Sequence, residues 1–112
     1  MSEDLTFAVM VDSQLDEARL VDAVTRHLHG AERAGGYVRY GKNIIRSERN
    51  SLHDETRVLE RSSKSWKYYR YSLSVFPEGA VTLEGQKKVA SEILAAIRDG
   101  GMLAELVAEF DV

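Results

Sequence analysis

Apolar residues along this chain fall into two periods. Leu5 to Val11 is nearly continuous in apolar character and rich in β-formers. That predicts a central strand with Phe7, Val9 and Val11 on one face and Thr6, Ala8 and Met10 on the other. Asp12-Ser13 then opens a helix. Ser13 and Asp16 have capping-box spacing, and Asp16 and Glu17 suit the positive end of the helix dipole. Leu20, Val21, Val24 and Leu28 form one apolar stripe, and the helix ends around His27, His29 and Gly30, where cations and then glycine are favoured.

Gly35-Gly36 breaks the chain, and the pattern from there to Phe76 is extended. It predicts a strand over Asn43 to Arg49, a turn at Asn50-Ser51 and a short strand over Thr56 to Arg61. The polar turn Ser62 to Ser65 leads into a long strand from Trp66 to Phe76. Its alternation puts Tyr69, Tyr71, Leu73 and Val75 on one face and Tyr68, Arg70, Ser72 and Ser74 on the other. Pro77-Glu78-Gly79 stops that strand. Thr82 is the expected N-cap of a second helix, whose core stripe is Ala90, Ile93, Leu94 and Ile97. Gly100-Gly101 ends it, and a closing strand runs from Met102 to Phe110 with Ala104, Leu106, Ala108 and Phe110 facing inward.

The order is β-α-β-β-(β)-α-β, the bracketed strand being Thr56 to Arg61. Both helices should cover one face of an antiparallel or mixed sheet, giving an α+β, ferredoxin-like two-layer sandwich. At 112 residues, the chain fits a single domain spanning 1–112 with one core.

Composition narrows the chemistry. With no Cys there is neither a disulfide nor a thiolate nucleophile or metal ligand. Met1 to Asp12 carries Glu3 and Asp4 ahead of a short apolar run, unlike a secretory signal. No stretch approaches the ~20 apolar residues of a membrane span, so a cytoplasmic location is expected. Charge is unevenly placed. Tyr37 to Tyr71 holds nine basic residues (Arg39, Lys42, Arg46, Arg49, Arg57, Arg61, Lys64, Lys67, Arg70) against Glu48, Asp54, Glu55 and Glu60, a surplus of +5. The whole chain is −3, so the remainder is −8.

Catalytic and metal signatures are weak. Gly30 to Gly36 and Gly41-Lys42 have neither phosphate-loop spacing, and read as a helix stop followed by a loop. His27 and His29, two apart on a helix, point away from each other and cannot chelate together. Ser51, Ser62, Ser63 and Ser65 sit where turns want serine, without a G-x-S-x-G elbow. The expectation is a non-enzyme with no cofactor and no metal.

The strongest signal is aromatic and basic. All five Tyr and the only Trp lie between Tyr37 and Tyr71, interleaved with the nine cations. Such a surface can stack unpaired bases and neutralise phosphates, although Lys67 to Ser72 lacks the glycine and spacing of the RNA-recognition strand motif. Tyr, Trp and Arg are also the residue types that dominate protein interfaces.

Trp66 to Pro77 (WKYYRYSLSVFP), with the helix through Ile97 and the closing strand to Glu109-Phe110-Asp111, resembles a group of small uncharacterised bacterial proteins. These have a Y-x-Y-x-L-x-V-x-P strand, a helix and a closing strand ending near F-E-D. The resemblance covers the C-terminal half. It implies an immunity- or antitoxin-like binder and supplies no catalytic residues.

The sequence thus points to a binding protein using Trp66, Tyr68, Arg70, Arg46, Arg49 and Arg57. A protein partner is the first expectation. Single-stranded nucleic acid on the same surface is the second. A homodimer through the uncovered sheet face, with Ala8, Met10, Ser72 and Ser74, is the third.

Overall fold

Alternation along β1 (Phe7–Asp12) decides which face of the sheet becomes the core. Phe7, Val9 and Val11 are buried, whereas Ala8, Met10 and Asp12 are only half-buried. The computed structural model describes residues 5–112, so Glu3 and Asp4 lie outside the described residues.

Helix α1 (Glu17–His27) starts later than the Ser13 signal predicts. Its N-cap is Asp16, whose carboxylate accepts from the Arg19 N–H at 2.9 Å. Ser13 is buried instead in the turn before the helix, where its hydroxyl accepts from the Leu15 N–H at 3.1 Å. The Leu15 carbonyl accepts from the Tyr71 hydroxyl at 2.7 Å, which ties this turn to the sheet.

Glycine then builds two turns where the sequence predicted a loop. β2 (Glu32–Ala34) and β3 (Tyr37–Tyr40) pair across Gly35-Gly36, with Gly35 at φ +62°. β3 pairs with β4 (Asn43–Arg49) across Gly41-Lys42, both at positive φ (55° and 63°), the requirement of a type I′ hairpin turn.

Between β4 and β5 (Tyr71–Pro77) the predicted short strand is absent. Thr56 to Arg61 is instead mostly a short helix, α2 (Glu55–Leu59), because Asp54 caps the N–H groups of Thr56 and Arg57. The start of the predicted Trp66–Phe76 strand is a 3₁₀ turn (Ser65–Tyr68). Thr82 does cap α3 (Leu83–Asp99), accepting from the Gly85 N–H at 2.9 Å. The closing strand, β6 (Leu103–Val107), is shorter than predicted.

The described residues form an α+β fold, with three α-helices and one antiparallel six-stranded sheet of order β2-β3-β4-β5-β1-β6. That order departs from the four- or five-stranded ferredoxin-like sheet expected, since β2 and β3 join as further strands. Register places Val9 opposite Leu73 and Leu106, and Ile45 opposite Val75, so one face gathers the apolar side chains. α1 and α3 cover that face with Leu20, Val24, Ala90, Ile93 and Ile97, all but fully buried. A fully buried Leu or Ile contributes about 1.5–3 kcal/mol. A one-residue slip of β5 would turn Tyr71, Leu73 and Val75 outward, so burial fixes the register.

One polar pair is sealed in this core. Asn43 and Gln86 exchange two amide hydrogen bonds at 2.9 Å. Asn43 also donates to the Gly41 carbonyl (2.7 Å), and Gln86 to the Leu5 carbonyl (3.0 Å), which joins β4, α3 and the approach to β1.

Candidate functional site

The chain leaves β4 at Arg49 and enters β5 at Tyr71, and residues 50–70 cap that end of the sheet. The segment has little apolar core of its own; Val58 is its one buried large apolar side chain. Hydrogen bonds hold it instead. Asn50 is the main clamp: its N–H donates to the Arg70 carbonyl (2.9 Å), and its side-chain amide donates to the carbonyls of Lys67 (2.9 Å) and Tyr69 (2.8 Å). Asp54 adds a backbone bond to the Tyr68 carbonyl (3.2 Å) while capping α2. The buried Ser65 hydroxyl donates to the Arg57 carbonyl (2.9 Å) and accepts from the Ser62 N–H (2.9 Å). α2 and the 3₁₀ turn are thereby fixed against each other.

This scaffold brings together the residues singled out from the sequence, except Arg46. The Arg57 guanidinium lies 5.7 Å from the Tyr68 ring centre, and the Lys67 ammonium 5.8 Å from that of Trp66, both within cation–π range. Trp66 and Tyr68 are half-buried, and Arg49 and Arg57 are exposed. Arg70 stands at the root of the segment. Its backbone N–H donates to Asp12 Oδ1 (3.0 Å), and Nη1 reaches the Ser13 carbonyl (3.4 Å). Its Nε is buried without a hydrogen-bond partner. Arg46 is not part of the group. It sits within β4 opposite Ser74, on the uncovered face of the sheet.

Two residues missed by the sequence reading belong here. Leu52 and Leu59 are 64% and 70% exposed, the most exposed large apolar side chains among the described residues. Leu52 stands between the polar Ser51 and His53, Leu59 stands between the buried Val58 and the polar Glu60, and neither extends an apolar stripe. That isolation was the available signal.

Tyr69 closes the segment on the sheet side. Burial, then the carboxylates of Glu105 and Asp12, raise its hydroxyl pKa above the usual 10, against the opposing pull of Arg98. Beside Asp12 opens a cleft of about 400 Å³ lined by Asp12 to Leu15 and Gly100 to Leu103.

The arrangement offers aromatic faces, guanidinium groups and exposed leucines on a backbone already ordered, which is a binding chemistry. Among the described residues no group of three or more His, Asp or Glu could hold a metal ion, and no helix is long and apolar enough to cross a membrane. Comparison with family models, curated proteins and solved structures found no match.

Proposed function

We propose that the protein is a small non-catalytic binding module of the immunity or antitoxin kind, which grips a protein partner with residues 50–70. Its framework is a ferredoxin-like kernel, β4-β5-β1-β6 with α1 and α3, widened by β2 and β3. The observation that carries the reading is the exposure of Leu52 and Leu59 on a segment that hydrogen bonds hold rigid. Burying each leucine against a partner contributes about 1.5–3 kcal/mol, and a pre-ordered segment loses little entropy on docking. Arg57, Arg61, Lys64, Lys67 and Arg70 outnumber Asp54, Glu55 and Glu60 there, so the partner surface is apolar with an acidic rim.

The test is retention of a partner from cell extract by the wild-type chain, Leu59→Asp and Arg46→Glu. The reading expects a partner that wild type and Arg46→Glu retain and Leu59→Asp loses. Equal retention by all three chains, or none by any, refutes it.

Single-stranded nucleic acid fits this geometry less well. Ala8, Met10, Ser72 and Ser74, without an aromatic ring, occupy the middle of the uncovered face. Trp66 and Tyr68 each already carry a cation of the chain on their rings. Titrating Trp66 fluorescence with single-stranded RNA should be flat at low salt; quenching that falls steeply with salt would reverse the order of the two readings. A homodimer through the uncovered face has one observation in its favour: Phe76, Leu103 and Val107 are 40%, 50% and 38% exposed, and alternation puts them on that face. A monomeric mass by light scattering at high concentration rejects it.

A further inference from the structure

The helical layer is narrower than the sheet it covers. Two helices about 10 Å wide shade roughly four strands spaced about 4.8 Å apart, and this sheet has six. Of the two strands left over, the outermost beyond α1 is β2. Its Arg33 pairs with Val38, a core-facing residue of β3, so the Arg33 side chain rises on the helix side of the sheet. Between the outer flank of α1 and β2 lies an open cleft of about 570 Å³, lined by Leu15, Arg19, Asp22, Thr25, Arg26 and Arg33.

Helical spacing concentrates charge there. Arg19, Asp22 and Arg26 are three and four residues apart and share one face of α1. The Asp22 carboxylate is ion-paired with Arg33, which holds that guanidinium over the cleft. Arg19 lies 3.8 Å from Asp16 in an exposed pair that constrains it little. Arg26 has no ion pair among the described residues. Three guanidinium groups against the carboxylates of Asp22 and of Asp16 beside Arg19 leave the cleft with a surplus of +1, on a chain whose net charge is −3.

We propose that this cleft binds a small organic phosphate. The unpaired Arg26 attracts the anionic head of a phosphate monoester, and the planar guanidinium forks of Arg19, Arg26 and Arg33 suit its oxygens. Leu15 and the aliphatic stems of the arginines offer an apolar wall to the carbon skeleton. The volume falls within the range of about 300–1,000 Å³ typical of small-molecule sites. This site is separate from residues 50–70 and stands whether or not they bind a protein.

The probe is phenyl phosphate, followed by NMR of the arginine Nε–H groups at low ionic strength. Saturable shifts confined to Arg19, Arg26 and Arg33 are expected, with inorganic phosphate binding more weakly. Arg26→Glu should weaken binding at least roughly tenfold, equivalent to about 1.4 kcal/mol. Arg19→Gln, a second exposed position, should weaken it less, and Leu59→Asp should leave it unchanged. Absent or non-saturating shifts, equal shifts at Arg57 and Arg61, or unaltered affinity in Arg26→Glu would overturn the proposal. Inorganic phosphate binding as tightly as phenyl phosphate would overturn the organic part of it.

Discussion

Replacing Gln86 by Leu should destabilise the fold well beyond what a change of one side chain's volume implies. Gln86 is 1% exposed and Asn43 0%, so water cannot take the place of either amide. The substitution deletes both 2.9 Å bonds between them and the bond to the Leu5 carbonyl. Asn43 Oδ1 then has no donor, and Asn43 Nδ2 keeps only the Gly41 carbonyl. A buried polar group left unsatisfied costs about 1–3 kcal/mol, so one orphaned oxygen and one orphaned N–H give a loss of about 2–6 kcal/mol. Asn43→Leu should cost a similar amount. The double variant removes both amides, and an apolar pair of matched shape is nearly neutral in such sites. It should therefore be destabilised by less than the sum of the singles, with a coupling of at least about 2 kcal/mol, as for residues in direct contact. Urea unfolding of the four chains, at unchanged m-value, measures this cycle. Additive effects, or a Gln86→Leu loss under about 0.5 kcal/mol, typical of surface sites, would refute the reasoning.

Other substitutions probe the same physics elsewhere. Gly41→Ala should cost more in urea unfolding than Gly35→Ala, because both have positive φ but only at Gly41 would a Cβ meet Val89, at 2.7 Å; equal losses would contradict this. Arg70→Met should cost no more than about 1 kcal/mol, since relief of the unpartnered buried Nε offsets loss of the long 3.4 Å bond to the Ser13 carbonyl and the bond to Asp12 comes from the backbone; a larger loss than that of an ordinary hydrogen bond would show a partner at Nε. Tyr69 has a raised pKa, so its folded form holds the proton longer than its unfolded form; its contribution is complete below about pH 10 and is lost as pH rises through the folded value. Stability measured from neutral to alkaline pH should thus fall less steeply in Tyr69→Phe than in wild type.

The elements legible in the sequence were those long enough to repeat a period against the core. α3 repeats its stripe over four turns, and β4 alternates with its bounds as predicted. β2 and β3 were not legible because only Val38 in them is buried, and a Gly-Gly pair reads equally as a break or a turn. Thr56 to Arg61 resembles a strand in its β-branched residues, yet one carboxylate, Asp54, satisfies two N–H groups and turns it into a helix. Such capping outweighs propensity in a segment too short for periodicity to register. The candidate site shows the same division. Its residue types stood out, but their grouping depends on Asn50 reaching the carbonyls of Lys67 and Tyr69, a contact that sequence spacing does not encode. Hence Arg57 and Tyr68 meet while Arg46 belongs to another face.

The most direct measurement is hydrogen exchange on the chain with and without the partner that it retains. Slowed exchange within residues 50–70, around α2 and the 3₁₀ turn, with α1 unchanged, is what the account predicts. Protection appearing instead across β5, β1 and β6, with residues 50–70 exchanging as in the free chain, would contradict it and assign the interface to the uncovered sheet face.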